Sequence, residues 1–123
     1  MEVGFLNEKV EKQCTNLKDA SKCFGGDKNL AVSLLARINA IKNAEVLKDI
    51  VVQRAFRFHD LHNKNHRDLS GCFAIDVKTI REPWRIILKP LDEQGNTFDP
   101  CNIDEIASTV KKVRIREVSK HYE

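Results

Sequence analysis

The sequence predicts an α+β domain: a short N-terminal strand and two helices packed on one face of a mainly antiparallel sheet. Three observations lead there. Apolar residues recur at helical spacing through the first part of the chain; the period then changes from 3.6 to 2; and a run of short strands follows. With 123 residues and 41% hydrophobic content the chain has the size of one domain, 1–123, able to bury a core without disulfide or metal support.

Residues 1–6 read as a short strand. Asn7 then caps a helix that turns Val10, Cys14 and Leu17 towards the core. Gly25-Gly26 interrupts the pattern, and Asp27 caps the clearest helix. Its Leu30, Leu34, Leu35, Ile38 and Ile41 share one face, leaving Lys28, Arg37 and Lys42 for solvent. A weaker turn over 44–50 carries Val46, Leu47 and Ile50. In the sheet region Phe56 and Phe58 alternate with Arg57 and His59, and Phe73, Ile75 and Val77 alternate with Ala74 and Asp76. Each segment is thus expected to have one buried and one polar face. A third strand runs over 84–88, with Trp84, Ile86 and Leu88 inward, Arg85 outward and Pro90 at its end. The last covers 110–118, Val113 and Ile115 opposing Arg114 and Arg116, and Val118 out of step as a bulge or a late edge position would leave it. The 92–109 connection between these two strands is too long for a tight hairpin, and Asn102 starts a short helix in it.

The charge balance, 21 Lys and Arg against 18 Asp and Glu, is too mild to imply nucleic-acid binding by itself, so local distribution must carry that argument. Cys14, Cys23, Cys72 and Cys101 have no Cys-x-x-Cys spacing and read as reduced thiols in a cytoplasmic protein. No basic leader precedes an apolar stretch and no apolar run approaches ~18 residues, so neither secretion nor membrane insertion is expected. Three of four histidines, His59, His62 and His66, fall within eight residues. Their spacing would gather metal ligands on a helix, but the segment starts on a strand and continues through Asn63, Lys64, Asn65 and Arg67. It reads as a solvated loop, with no metal and no cofactor. Imidazole titrates near neutrality and guanidinium grips phosphate oxygens, so histidines beside the cationic strand around Arg85 point towards RNA.

Arg57-Phe58-His59-Asp60-Leu61, Gly71-Cys72-Phe73-Ala74-Ile75-Asp76-Val77, Pro83-Trp84-Arg85-Ile86-Ile87-Leu88 and Glu117-Val118-Ser119-Lys120-His121-Tyr122, in this order, resemble the HigB branch of the RelE/ParE toxin superfamily. The resemblance spans nearly the whole chain, and its specific part is 57–88 plus the tail. It implies a RelE-like fold and the toxin of a bacterial type II toxin-antitoxin system. Such a toxin is a metal-independent endoribonuclease that cleaves messenger RNA, usually on the ribosome, and is neutralised by a cognate helix-turn-helix antitoxin of the HigA kind. His59 matches the family's first catalytic histidine, and Arg85 matches the arginine at the scissile phosphate. The tail departs from the pattern: many relatives end in Asp-Tyr-His where this chain has Lys120-His121-Tyr122. A basic residue often found three positions after the first histidine is here His62.

Cleaving RNA without a metal requires a base for the 2′-hydroxyl, positive charge for the phosphorane and an acid for the leaving 5′-oxygen. His59 and His121 are the candidates for proton transfer, Arg85 for the phosphate and Tyr122 for base stacking, worth ~1–3 kcal/mol. For Arg85 the plain alternative is an ion pair with Asp76, and Trp84 is expected in the core. Arg57, His62, Lys64, Arg67, Lys78, Arg81, Arg114, Arg116 and Lys120 would track the phosphate backbone if their strands are neighbours. Two rival readings remain: a ParE-type toxin that binds DNA gyrase without cutting RNA, and an inactive relative that serves only antitoxin and operator binding.

Overall fold

The computed structural model describes residues 1–61 and 71–120. Strand β1 (Glu2–Phe5) leads into α1 (Glu8–Thr15), α2 (Leu17–Cys23), α3 (Lys28–Asn43) and α4 (Lys48–Val51). A 3-10 turn (Arg54–Phe56) precedes β2 (His59–Asp60), β3 (Phe73–Asp76), β4 (Arg85–Leu91), α5 (Ile103–Ile106) and β5 (Lys112–Ser119). The fold is α+β, and the sheet order is β1-β5-β4-β3-β2. β1 runs parallel to β5 and every other pairing is antiparallel. No helix among the described residues is long and apolar enough to cross a membrane.

Side-chain caps set the helix starts. The Asn7 carboxamide oxygen accepts from Val10 N at 3.0 Å and the Asp27 carboxylate from Leu30 N at 3.2 Å, each satisfying a backbone donor that the first turn leaves unpaired. The first expected helix is in fact two. The Asn16 side chain caps a new start by accepting from Lys18 N and Asp19 N, so Leu17 opens α2 and stands 49% exposed instead of entering the core. Arg37 departs from expectation too. Its guanidinium donates to the carbonyls of Asp76, Ala55 and Lys78 and lies 4.4 Å over the Phe56 ring. Burial pulls its pKa down, with Asp76 opposing that shift. Together with Ser33 Oγ donating to Val77 O, it ties α3 to the end of β3.

The helices cover one face of the sheet. Leu34, Ile38 and Ile41 of α3 and Leu47 and Ile50 pack with Phe73, Ile75, Ile86, Leu88, Val113 and Ile115 in the main core. Trp84 joins that core from its edge, its ring set edge-on to Phe24 at 4.9 Å, as its phase with Ile86 and Leu88 requires. The expected strand through Phe56 does not form. Phe56 is buried in the 3-10 turn, and Arg57 takes the left-handed conformation at φ 50°, which ends any extended run before β2 begins at His59. Nor is β3 exposed on its second face, since Ala74 and Asp76 are as buried as Phe73 and Ile75. β4 continues past the expected end and includes Pro90, paired with Val113. The register between β4 and β5 shifts at Ile87/Leu88: Leu88 faces Ile115 and Ile87 faces Glu117, which leaves Arg116 as the extra residue of a bulge.

Candidate active site

The strand register gathers the candidate residues on the face away from α3. Directly opposed residues of an antiparallel pair share a face, so His59, Ala74, Ile87 and Glu117 form one row across β2, β3, β4 and β5. Two residues along the strands, about 6.6 Å on, Asp76, Arg85 and Ser119 form the next row of that face. In the opposite direction lie Cys72, Lys89 and Arg114, with Leu61 beside Cys72. Leu61, Cys72, Ala74 and Ile87 make a small buried cluster separate from the main core. Arg116, set free of the ladder by the bulge, turns its Nη1 to within 3.5 Å of Cys72 Sγ on this side.

A buried carboxylate organises the second row. Asp76 takes the Arg57 Nε–H at 3.0 Å on Oδ2 and has the Arg85 Nε 3.1 Å from Oδ1. The Arg85 Nε lacks the alignment of a hydrogen bond despite that distance, so the contact is chiefly coulombic. Its Nη1 donates to the carbonyls of Glu82 at 2.6 Å and Trp84 at 2.9 Å. Arg85 is wholly buried, whereas the Arg57 side chain keeps 36% of its surface in solvent. Two guanidiniums thus share one buried carboxylate.

His59 stands one row away, half-buried. Its Nδ1 lies 2.6 Å from the Arg57 carbonyl oxygen, which accepts only. In the neutral ring Nδ1 therefore carries the proton and donates it, and Nε2 is the basic nitrogen. The left-handed backbone of Arg57 makes this possible. One residue sends its carbonyl to the imidazole and its guanidinium to Asp76. An arginine in that region is sparsely populated and costs energy that its surroundings must offset.

Of the other residues that the sequence points to, Lys78 and Arg81 are exposed in the connection between β3 and β4, and Arg114 and Arg116 are half-buried on β5. Lys120 is exposed after β5, its ammonium 5.6 Å from the centre of the Trp84 ring. His62, Lys64, His66, Arg67, His121 and Tyr122 lie outside the described residues. Among the described residues no cluster of His, Cys, Asp and Glu is arranged to hold a metal ion. Sequence reasoning offers Asp76 as a partner of Arg85 but not its second partner, Arg57. It leaves Arg37 to solvent, because a lone arginine on a helix gives no signal of the carbonyls it will meet. The 92–109 connection meets this face at a polar cavity of about 380 Å³ between Gly71, Lys89, Thr97 and Asp99.

No family model, curated protein or solved structure matches the chain.

Proposed function

We propose that the chain is the messenger-RNA-cleaving toxin of a type II toxin-antitoxin pair, a HigB-like endoribonuclease of RelE-like fold that acts with the ribosome and is held in check by a helix-turn-helix antitoxin. One observation carries the reading. The Nε2 of His59 and an arginine-aspartate-arginine trio share one sheet face, one row apart. In the proposed reaction His59 Nε2 takes the proton of a ribose 2′-hydroxyl and the 2′-oxygen attacks phosphorus. The bond to the 5′-oxygen breaks, leaving a 2′,3′-cyclic phosphate and, once His121 has supplied a proton, a 5′-hydroxyl. The charge that builds on the phosphate oxygens is met by Arg57, the accessible guanidinium of the trio. Arg85 stands behind it, fixing Asp76 and contributing the second positive charge. Arg114, Arg116 and Lys89 continue the cationic face along the strands and suit a phosphate backbone. The sequence expectation of a direct Arg85 clamp is thereby divided between two residues, a division that the burial of Arg85 supports.

That burial also favours a second reading, in which Arg85 serves the ion pair alone and the chain acts by binding, either to DNA gyrase or only to its antitoxin. Inducing the chain alone in a bacterial host and mapping new 5′ ends of messenger RNA separates these. Growth arrest with new 5′ ends is the expected result. Arrest with loss of supercoiling and intact messages would transfer the chain to the gyrase-binding reading. Normal growth with abundant folded protein would leave only the antitoxin-binding role.

A further inference from the structure

On the helical side of the molecule, away from the histidine and arginine face, a concave surface of about 740 Å³ follows α2 to the Gly25-Gly26 turn. Leu17, Lys18 and Lys22 come from one side of α2, and Lys28 opens α3 across the turn. Its floor is mostly carbon: the Leu17 side chain, the lysine stems and two glycines, over which a built Cβ would meet nothing within 4 Å. Both glycines have positive φ, so larger residues would be strained there and the turn stays bare. One helical turn beyond Lys28, on the same side of α3, Val32 is 58% exposed. Leu17, in the groove, and Val32, one helical turn past its Lys28, are two of the large apolar side chains that the described residues leave in solvent. None of the described residues lining the groove is acidic. The Asp27 side chain beside it is engaged in capping Leu30 N.

We infer that this groove docks an acidic amphipathic segment of a protein partner, apolar residues seated on Leu17, the glycines and Val32, carboxylates meeting Lys18, Lys22 and Lys28. An anionic polymer alone needs phosphate contacts and gains nothing from a carbon floor. A purely apolar partner would leave three ammonium groups facing hydrocarbon. A segment with both features matches the surface at once, its charges setting encounter rate and register and its apolar residues the lifetime. The inference is independent of the nuclease reading, since none of these residues lies on the His59 face.

The test uses the full chain and a fluorescent synthetic peptide of about 16 residues, long enough to hold a helix, with leucines along one face and glutamates along the other. Saturable binding by anisotropy is expected. Lys18→Glu, Lys22→Glu and Lys28→Glu combined should weaken it by about tenfold or more, as should Leu17→Ser with Val32→Ser, with circular dichroism unchanged. Peptides with glutamine for glutamate, or serine for leucine, probe the same surface on the unaltered chain and should each bind about tenfold more weakly. Absence of saturable binding, or equal binding by the charge-reversed chain, would overturn the proposal. So would single-stranded RNA or anionic vesicles binding these lysines as tightly as the peptide, which would make the groove a phosphate-binding surface. Concentration-dependent dimerisation abolished by the same substitutions would assign it to a second copy of the chain instead.

Discussion

The two faces of the central strands are built from alternate residues of the same segments, yet they are held by different forces. Towards the helices β4 presents Ile86 and Leu88, and β5 presents Val113 and Ile115, in a core made of hydrocarbon. Away from them β3 and β4 present Asp76 and Arg85, which are equally buried and depend on one another. The apolar face gains stability in proportion to area and tolerates changes of shape. The polar face is stable only while its charges and donors stay paired, and it is the one on which the proposed chemistry rests. Burial alone therefore does not distinguish structural from functional residues in this sheet; the kind of partner does.

The largest expected effect separates the faces by activity. His59→Ala should lower messenger-RNA cleavage by ~10²–10⁴-fold, measured on ribosome-bound message, while the melting temperature moves by no more than a few degrees. Wild-type cleavage by the folded variant would remove His59 from the mechanism. Next comes Asp76→Leu, which leaves Arg85 buried without its carboxylate and should cost ~3–5 kcal/mol in urea unfolding. Ile86→Ala on the other face should cost a comparable ~2–5 kcal/mol. The two faces differ in rescue. Adding Arg85→Met to Asp76→Leu should recover most of the lost stability without recovering cleavage, whereas no second substitution on the polar face should repair Ile86→Ala. Failure of the rescue would mean that the trio is not a self-contained unit.

Arg85→Lys sharpens the contrast at smaller scale. Lysine keeps the charge but not the planar fork that reaches the Glu82 and Trp84 carbonyls as well as Asp76, so a loss of ~1–3 kcal/mol should accompany a fall in cleavage. Full cleavage with unchanged stability would show that only the charge matters. The smallest effect is silent at neutral pH. Burial in the apolar core pushes the Cys14 thiol up to about 12, with neighbouring Cys23 adding to the rise. Between an ordinary thiol pKa of 9.0 and that value the unfolded chain releases a proton that the folded one retains, so stability falls as pH rises through this window. Cys14→Ala should flatten that part of the curve of unfolding free energy against pH and leave its slope unchanged below about pH 8. An unchanged alkaline slope would mean that the thiol ionises freely in the folded protein.

What the sequence made legible follows from how local each determinant is. Asn7 and Asp27 read correctly as caps because a cap needs only its own next three residues. The helix itself and its inward Leu30, Leu34, Ile38 and Ile41 read correctly, as does the alternation around Val113 and Ile115, because each lies on a single element, whereas Leu35 stays only half-buried outside the core. Leu17 was assigned inward because a continuous 3.6 period runs through it, and the carboxamide of Asn16 broke that period by starting a second helix. Phe56 to His59 has the alternation of a strand, but the helical tie from Arg37 and the left-handed turn at Arg57 override it, and both are tertiary. At the site, His59 was legible as a residue, while the use of its nitrogens was not. That depends on a carbonyl oriented by an unusual φ. The pair of Arg85 with Asp76 was already the alternative that the sequence offered, whereas the pairing of Asp76 with Arg57 depends on the turn that brings Arg57 back to β3.

The position of β5 in the sheet also constrains how the molecule comes to be folded. It is the last strand described in sequence, yet it lies between β1 and β4, with Glu2 beside Lys112 and Phe5 beside Ile115. On a ribosome, the first strand and the helices behind it stay apart from the meander until the intervening strands and β5 itself have been made. Pairings so distant along the chain give slow folding, because loop entropy is lost before the contacts return it. The face bearing His59 and the arginines therefore cannot acquire its Glu117 and Ser119 border on a nascent chain that still lacks β5.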